Sequence, residues 1–426
     1  MQWWLLALML AALMAAPADA RQASARPQTQ EDDYTRYELL APGTAQFRIL
    51  YEVTATSPGA RFFFNTIRKG SIASDERVID LMTGQPLKWE VVGGKQARTE
   101  GHPTADLDTE YIKVHLARPV PPNGQVRVLI DKTYKDPLSY KRDGDTIVFD
   151  RSLGIRRNSI VLPAGYALVN CNVPSQVLST DDGRVMVSFM NPGPAAAPLV
   201  LKARPGLVAF KPSVSTASGP STTVALAPQV SRLVERAHQD REIVYTLHDP
   251  ATHAFNVQHD FTETRPGTER YVNIVRAGSH VSNLSAVMLD TGALLKHEIL
   301  KGDAIKARGI DLGGPVGPET EAVVVWFPPL QAGHSARIRV SETYTDAERY
   351  RLDGDELVWD RAASRPRNTV LLPVGWTVTA SSMPAVIATD AEGRQRLEYE
   401  NGRPDEIQVL MRARRIAAPS TEQHQQ

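Results

Sequence analysis

Cysteine is almost missing from this chain. Cys171 is the only one in 426 residues, so no disulfide can form within it. A lone thiol in an oxidising compartment is safest as a small core residue, and the strand-like run Tyr166 to Cys171 suits that role. An excess of one charge is missing too: Lys plus Arg and Asp plus Glu both total 48, without long runs of either sign. Such a balance argues against a nucleic-acid or anionic-membrane partner, which would need a basic face. No Gly-rich phosphate loop and no Gly-x-Ser-x-Gly elbow is present. Beyond the first residues no apolar run approaches the roughly 20 residues that span a membrane.

What is present begins with Trp3 to Ala16, an apolar run followed by Pro17 and Ala18-Asp19-Ala20. Its length and its small-x-small ending predict a signal peptide over 1–20, cleaved after Ala20, and a secreted or periplasmic protein with no membrane span thereafter. The n-region carries no Lys or Arg. Residues 21–33 are polar and read as a disordered leader.

The rest is a duplication. From Asp131 to Tyr166, 15 of 36 positions are identical to Ser341 to Trp376 at an offset of 210; from Tyr37 to Ser71, 13 of 35 match Tyr245 to Ser279 at an offset of 208. The change of offset places a two-residue insertion in the second copy, with the Gly/Pro-rich loop Gly309 to Glu319 as its expected place. Repeat 1 is read as 34–205 and repeat 2 as 242–415. A Ser/Thr/Pro-rich linker with a short helical candidate, Ser231 to Arg241, occupies 206–241. A disordered tail is expected over 416–426.

Within each repeat the pattern is that of strands. Phe47 to Thr54 and Phe255 to Thr262 are rich in aromatic or β-branched residues and end near Pro-Gly turns. Ile112 to Leu116, Val126 to Ile130, Ile147 to Phe149, Ile160 to Leu162 and Val185 to Phe189 continue the series. Asp143-Gly144 and Asp353-Gly354, each between strand-like runs, are hairpin signals. The fold class expected is all-β: two tandem homologous antiparallel β-sandwich-like domains joined by a short helical linker.

The segment from Arg157 to Phe189, with Pro163-x-Gly165 and Asn172-Val173-Pro174 at its turns, resembles the later part of the N-terminal β domain of the M1-type zinc aminopeptidases. The resemblance covers about a tenth of the chain in each repeat and rests on short motifs. It implies the β scaffold without the catalytic domain, because the family's zinc motif H-E-x-x-H is not matched. The nearest string, His297-Glu298-Ile299-Leu300-Lys301, lacks the second His and lies in a strand-like region.

Polar residues shared by both copies are Tyr134, Asp136, Tyr140, Asp150, Arg151, Arg157 and Asn158, matched by Tyr344, Asp346, Tyr350, Asp360, Arg361, Arg367 and Asn368. Of these, Tyr140, Asp150, Arg151 and Arg157, with Tyr350, Asp360, Arg361 and Arg367, are the candidates for a site. Arg offers paired donors to an anion or sugar and Tyr a stacking face. The same residues could instead be staples, with Asp and Arg pairing and Tyr closing the sandwich edge, and two copies of one fold need the same staples. His248, His253, His259, His280 and His297 crowd the second copy but match no metal-ligand spacing. No catalytic residue, metal or cofactor is therefore expected. The reading is an exported, non-catalytic protein acting in binding, envelope structure or interaction, with a protein or glycan partner unknown. The alternative is an extracellular or periplasmic hydrolase or transferase with its cleft at the Asp/Arg/Tyr set.

Overall fold

A computed structural model describes residues 30–207 and 234–416. The expected signal peptide, most of the leader, most of the linker and the tail lie outside the described residues. Alternation makes the strands. In Gln46–Ala55, Phe47, Ile49, Tyr51 and Val53 are buried on one face while their neighbours are more exposed. Period-2 patterning of this kind buries one side of a sheet. Ala254–Glu263 repeats the pattern with Phe255, Val257 and Phe261.

Repeat 1 holds three sheets. The largest has seven strands in the order Gln176–Ser179, Val185–Met190, Arg157–Val161, Gln30–Leu39, Gln46–Ala55, Val126–Lys135, Ile72–Asp80. Four strands form the second sheet, Tyr166–Cys171, Ala197–Pro205, Thr146–Leu153 and Tyr140–Asp143, and three the last, Phe62–Thr66, Glu110–His115 and Trp89–Gly93. Repeat 2 follows the same order and adds a two-residue edge strand, Ala293–Leu294. All-β architecture in a two-domain arrangement is thus what the chain adopts. One pair in each repeat is parallel: Gln30–Leu39 with Arg157–Val161, and Arg241–Leu247 with Arg367–Leu371. Each repeat has its own hydrophobic core, built around Phe47 and Phe149 in one and Phe255 and Trp359 in the other.

Even the irregularities are duplicated. Asp75 and Asn283 both adopt positive φ (57° and 51°) where the pairing with the neighbouring strand slips, a conformation that Asp and Asn tolerate better than other side chains. The Asp-Gly hairpins form as expected, with Gly144 at φ 60° and Gly354 at φ 61°. Cys171 is partly buried and packs at the margin of the first core, not inside it.

Two expectations need correction. The first strand starts at Gln30, four residues ahead of the expected repeat boundary and within the expected leader. The described part of the helical candidate, 234–241, is not a helix: residues 236–238 form a turn, Val234 is 60% exposed, and Arg241 already begins a strand. Side-chain hydrogen bonds to both repeats hold this turn in place of a helical ladder. Glu235 accepts from Tyr34 and Ser188 of repeat 1, while Arg236 donates to the carbonyls of Ser364 and Asn401 in repeat 2. Such contacts outweigh the small propensity of one helical turn.

The repeats meet reciprocally. Gln125 N donates to Leu289 O (2.7 Å), and Ser335 N, at the equivalent position, donates to Met82 O (3.1 Å). Glycine permits the approach, since a Cβ on Gly124 would lie 2.5 Å from Leu289 O. At the centre Asp290, fully buried, accepts two hydrogen bonds from Arg127 (2.8 and 2.9 Å) and one from Arg337 N (2.6 Å).

Candidate functional site

The strand Val126–Lys135 directs Val126, Val128, Ile130 and Tyr134 into the first core. Lys132 falls on that same inward face, where alternation calls for an apolar residue. It is 3% exposed. Its ammonium donates to Asn65 Oδ1 and lies 4.8 Å from the centroid of the Tyr134 ring. No carboxylate among the described residues lies within salt-bridge distance of it. Asp131 points to the other face of the strand, where it pairs with Arg48. Burial, with Arg151 nearby adding repulsion, pushes the Lys132 amine down to about 7.

Lys132 borders a cavity of about 430 Å³ where the three sheets of repeat 1 come together. The large sheet contributes Tyr37, Tyr51, Lys132 and Tyr134, the three-stranded sheet Phe64 and Asn65, and the four-stranded sheet Arg151. His102 stacks on Phe64 with centroids 5.8 Å apart, and burial lowers its imidazole from the ordinary value. Arg151 donates to Asp136 Oδ2 (2.9 Å) and Ser139 Oγ (3.0 Å) and lies over the rings of Tyr37, Phe47 and Tyr134. Asp136 is also held by Ser71 and by the backbone N–H groups of Leu138 and Ser139, which keep its carboxyl below the usual range despite burial. The wall is aromatic, and of its two buried cations one is compensated from behind and the other is not.

Of the eight candidate site residues only Arg151 lines this cavity, together with Tyr134 from the wider set shared by the two copies. Tyr140 is buried and donates to Leu40 O (3.0 Å); Tyr350 does the same to His248 O (2.6 Å), each closing a sandwich edge. Asp150 is exposed, and Asp360 accepts from Gln408 (2.5 Å); neither pairs with the Arg that follows it. Arg157 is buried against the interdomain turn, donating to Ala237 O (3.0 Å). Arg361 lies over Phe255 and Tyr344 with Asp346 3.9 Å away, and Arg367 lies 3.7 Å from Asp240 beside the joint. The set is dispersed over both repeats and the joint between them, so it does not form one cleft.

Position 132 has a counterpart at Glu342, on the inward face between Val340 and Tyr344, 5% exposed. Asn273 Nδ2 donates to its Oε1 (3.4 Å) and burial raises its carboxyl to about 7. Comparing the copies for identity passes over this pair, because the two residues differ. A search for charged residues inside the apolar alternation finds both.

Among the described residues no cluster of three or more metal-ligating side chains occurs, and no helix is long and apolar enough to cross a membrane. His297 and Glu298 lie in the strand Lys296–Lys301, and Glu298 is bound by Trp326 (3.1 Å) and Arg308 (2.9 Å).

No protein-family model matches the chain, and a search of curated proteins finds no match. Solved structures do show similarity. An M1 zinc metallopeptidase from Deinococcus radiodurans is 11% identical over 42% of this chain and 43% of its own, with a TM-score of 0.28. An aminopeptidase N family protein from Idiomarina loihiensis is 14% identical over 40% of this chain and 29% of its own (TM-score 0.25). A candidate nutrient binding protein from Legionella pneumophila is 10% identical over 40% of this chain and 65% of its own (TM-score 0.23). The chain therefore spans less than half the length of the two peptidases.

Proposed function

We propose that this is an exported, non-catalytic β protein whose first repeat binds a small organic anion in the cavity around Lys132 and Arg151. One observation carries the reading: a buried lysine lines a cavity with no carboxylate among the described residues within salt-bridge distance of it. An unpaired buried cation destabilises a fold, and a ligand carboxylate entering the cavity would supply the missing partner. The volume suits a small molecule, and the aromatic wall suits an apolar or planar body behind the charged group. Export is supported by the Trp3 to Ala20 pattern.

Calorimetric titration of the purified protein with aliphatic and aromatic carboxylates tests the proposal. Phenylacetate and its uncharged amide form the decisive pair. Binding of the acid but not the amide, weakened tenfold or more in Lys132→Met (about 1.4 kcal/mol), is the expected result. Equal binding of acid and amide, or an unchanged affinity in Lys132→Met, overturns it.

A further inference from the structure

We propose that the anion held in this cavity also carries a reactive carbonyl, and that Lys132 captures it as a reversible imine. The inference rests on the anion-binding reading and narrows its ligand to small oxo acids and aldehyde acids. Three features of the site lead to it. The Lys132 side chain ends at a cavity and not in packed core. Among the described residues its amine is engaged by one hydrogen-bond acceptor, Asn65 Oδ1, an amide oxygen that orients an N–H without holding the nitrogen as a cation, as a carboxylate would. Arg151, fixed by Asp136 and Ser139, supplies a permanent positive charge in the same cavity wall. A ligand's carboxylate drawn toward Arg151 would leave its carbonyl carbon near the amine.

The chemistry balances without an oxidant or reductant. The neutral amine adds to the carbonyl carbon, forming the N–C bond while one amine proton passes to the carbonyl oxygen to give a carbinolamine; that hydroxyl then leaves with the second amine proton as water, and C=N remains. Water reverses it. A neutral amine is the prerequisite, and burial beside Arg151, which lowers the Lys132 amine to about 7, provides it near neutral pH. An exposed lysine is neutral to roughly one part in 2,500 at pH 7 and an amine titrating near 7 is about half neutral, a ratio on the order of a thousand; the weaker base is also the weaker nucleophile, so selectivity for Lys132 should be about a hundredfold.

The experiment incubates the intact protein at pH 7 with glyoxylate or pyruvate and cyanoborohydride, then maps the reduced adduct by peptide mass spectrometry. One ligand per chain on Lys132, about a hundredfold ahead of any surface lysine and lost in Lys132→Met, is the expected outcome. Methionine suits the apolar alternation at this position, and circular dichroism of the variant confirms that it folds. Labelling spread over surface lysines, equal in wild type and variant, overturns imine capture. Calorimetry with lactate and propionate, which carry no carbonyl, separates the two proposals. If they bind while Lys132 stays unlabelled, the anion site stands and the carbonyl chemistry falls. If no carboxylate binds and no label appears, both fall.

Discussion

Lys132 and Glu342 hold the same place in the two repeats, on the inward face of the same strand, with opposite charges. Lys132 pairs across the sheet with Ile49, and Glu342 with Val257, at the equivalent register. The same amide serves both: Asn65 accepts from the lysine through Oδ1, and Asn273 donates to the glutamate through Nδ2. An asparagine side chain can do either, which lets one frame hold either charge.

This pair predicts an unusual pH profile of stability. Burial raises the Glu342 carboxyl to about 7, so between its unfolded value of about 4.5 and 7 the native state holds the extra proton, and stability falls as pH rises. Burial lowers the Lys132 amine from 10.5 to about 7, so between 7 and 10.5 the unfolded state holds the extra proton, and stability rises with pH. The two contributions together give a shallow minimum near pH 7. Thermal unfolding across this range should show Glu342→Gln flattening the acid arm and Lys132→Met the alkaline arm. A wild-type profile level through pH 7 would count against both shifts.

The arginines over the aromatic rings should differ in importance. Arg151→Ala leaves Asp136 without its one cationic partner among the described residues and should cost about 3–5 kcal/mol. In repeat 2, Asp346 also receives Arg349 at 3.1 Å, closer than Arg361 at 3.9 Å. Arg361→Ala should therefore cost less by about 1.5 kcal/mol or more, the worth of one charged hydrogen bond. Urea midpoints of the two variants check the order. Asp150→Ala, at an exposed position, should change stability by no more than about 0.5 kcal/mol.

The tyrosine staples should behave alike. Tyr140→Phe and Tyr350→Phe each remove one hydroxyl-to-carbonyl hydrogen bond and keep the ring, so each should cost about 0.5–1.5 kcal/mol. Denaturant titration of both single variants is the measurement. A cost confined to one copy would show that the staples are not equivalent.

Asp290 should couple the unfolding of the two repeats. Replacing it with alanine leaves Arg127 buried without that carboxylate and should cost about 3–5 kcal/mol. Because each repeat keeps its own core, the damage falls on the joint. A calorimetric trace that is a single transition in the wild type should split into two in Asp290→Ala. One undivided transition in the variant would locate the coupling elsewhere.

Much of this fold is legible in the sequence, for a local reason. Alternation in Phe47 to Thr54 and Asp-Gly at 143–144 state a strand and a turn within a few residues. The duplication then makes each copy a check on the other. The parallel partnership of Gln30–Leu39 with Arg157–Val161 is set more than a hundred residues away and leaves no local mark. The turn at 236–238 was hidden for the same reason, since Glu235 and Arg236 answer to partners in separate repeats. The cavity could have been approached from Val126, Val128, Ile130, Lys132, Tyr134, where one lysine interrupts an apolar face. Identity between copies points instead to Tyr140 and Asp150, because what two copies must share is their framework.

The reciprocal joint has a consequence for how the two halves can differ. Two separate, identical subunits meeting through such a contact would have to carry every change twice. Joined in one chain, the halves share a contact that is reciprocal in its backbone bonds, Gln125 to Leu289 and Ser335 to Met82, and one-sided at Asp290, while each interior changes by itself. The link also holds the two faces at an effective concentration of roughly millimolar, so the pairing survives substitutions that would dissociate free partners. Opposite charges at positions 132 and 342 are the kind of asymmetry that a pair of identical subunits cannot hold and a duplicated chain can.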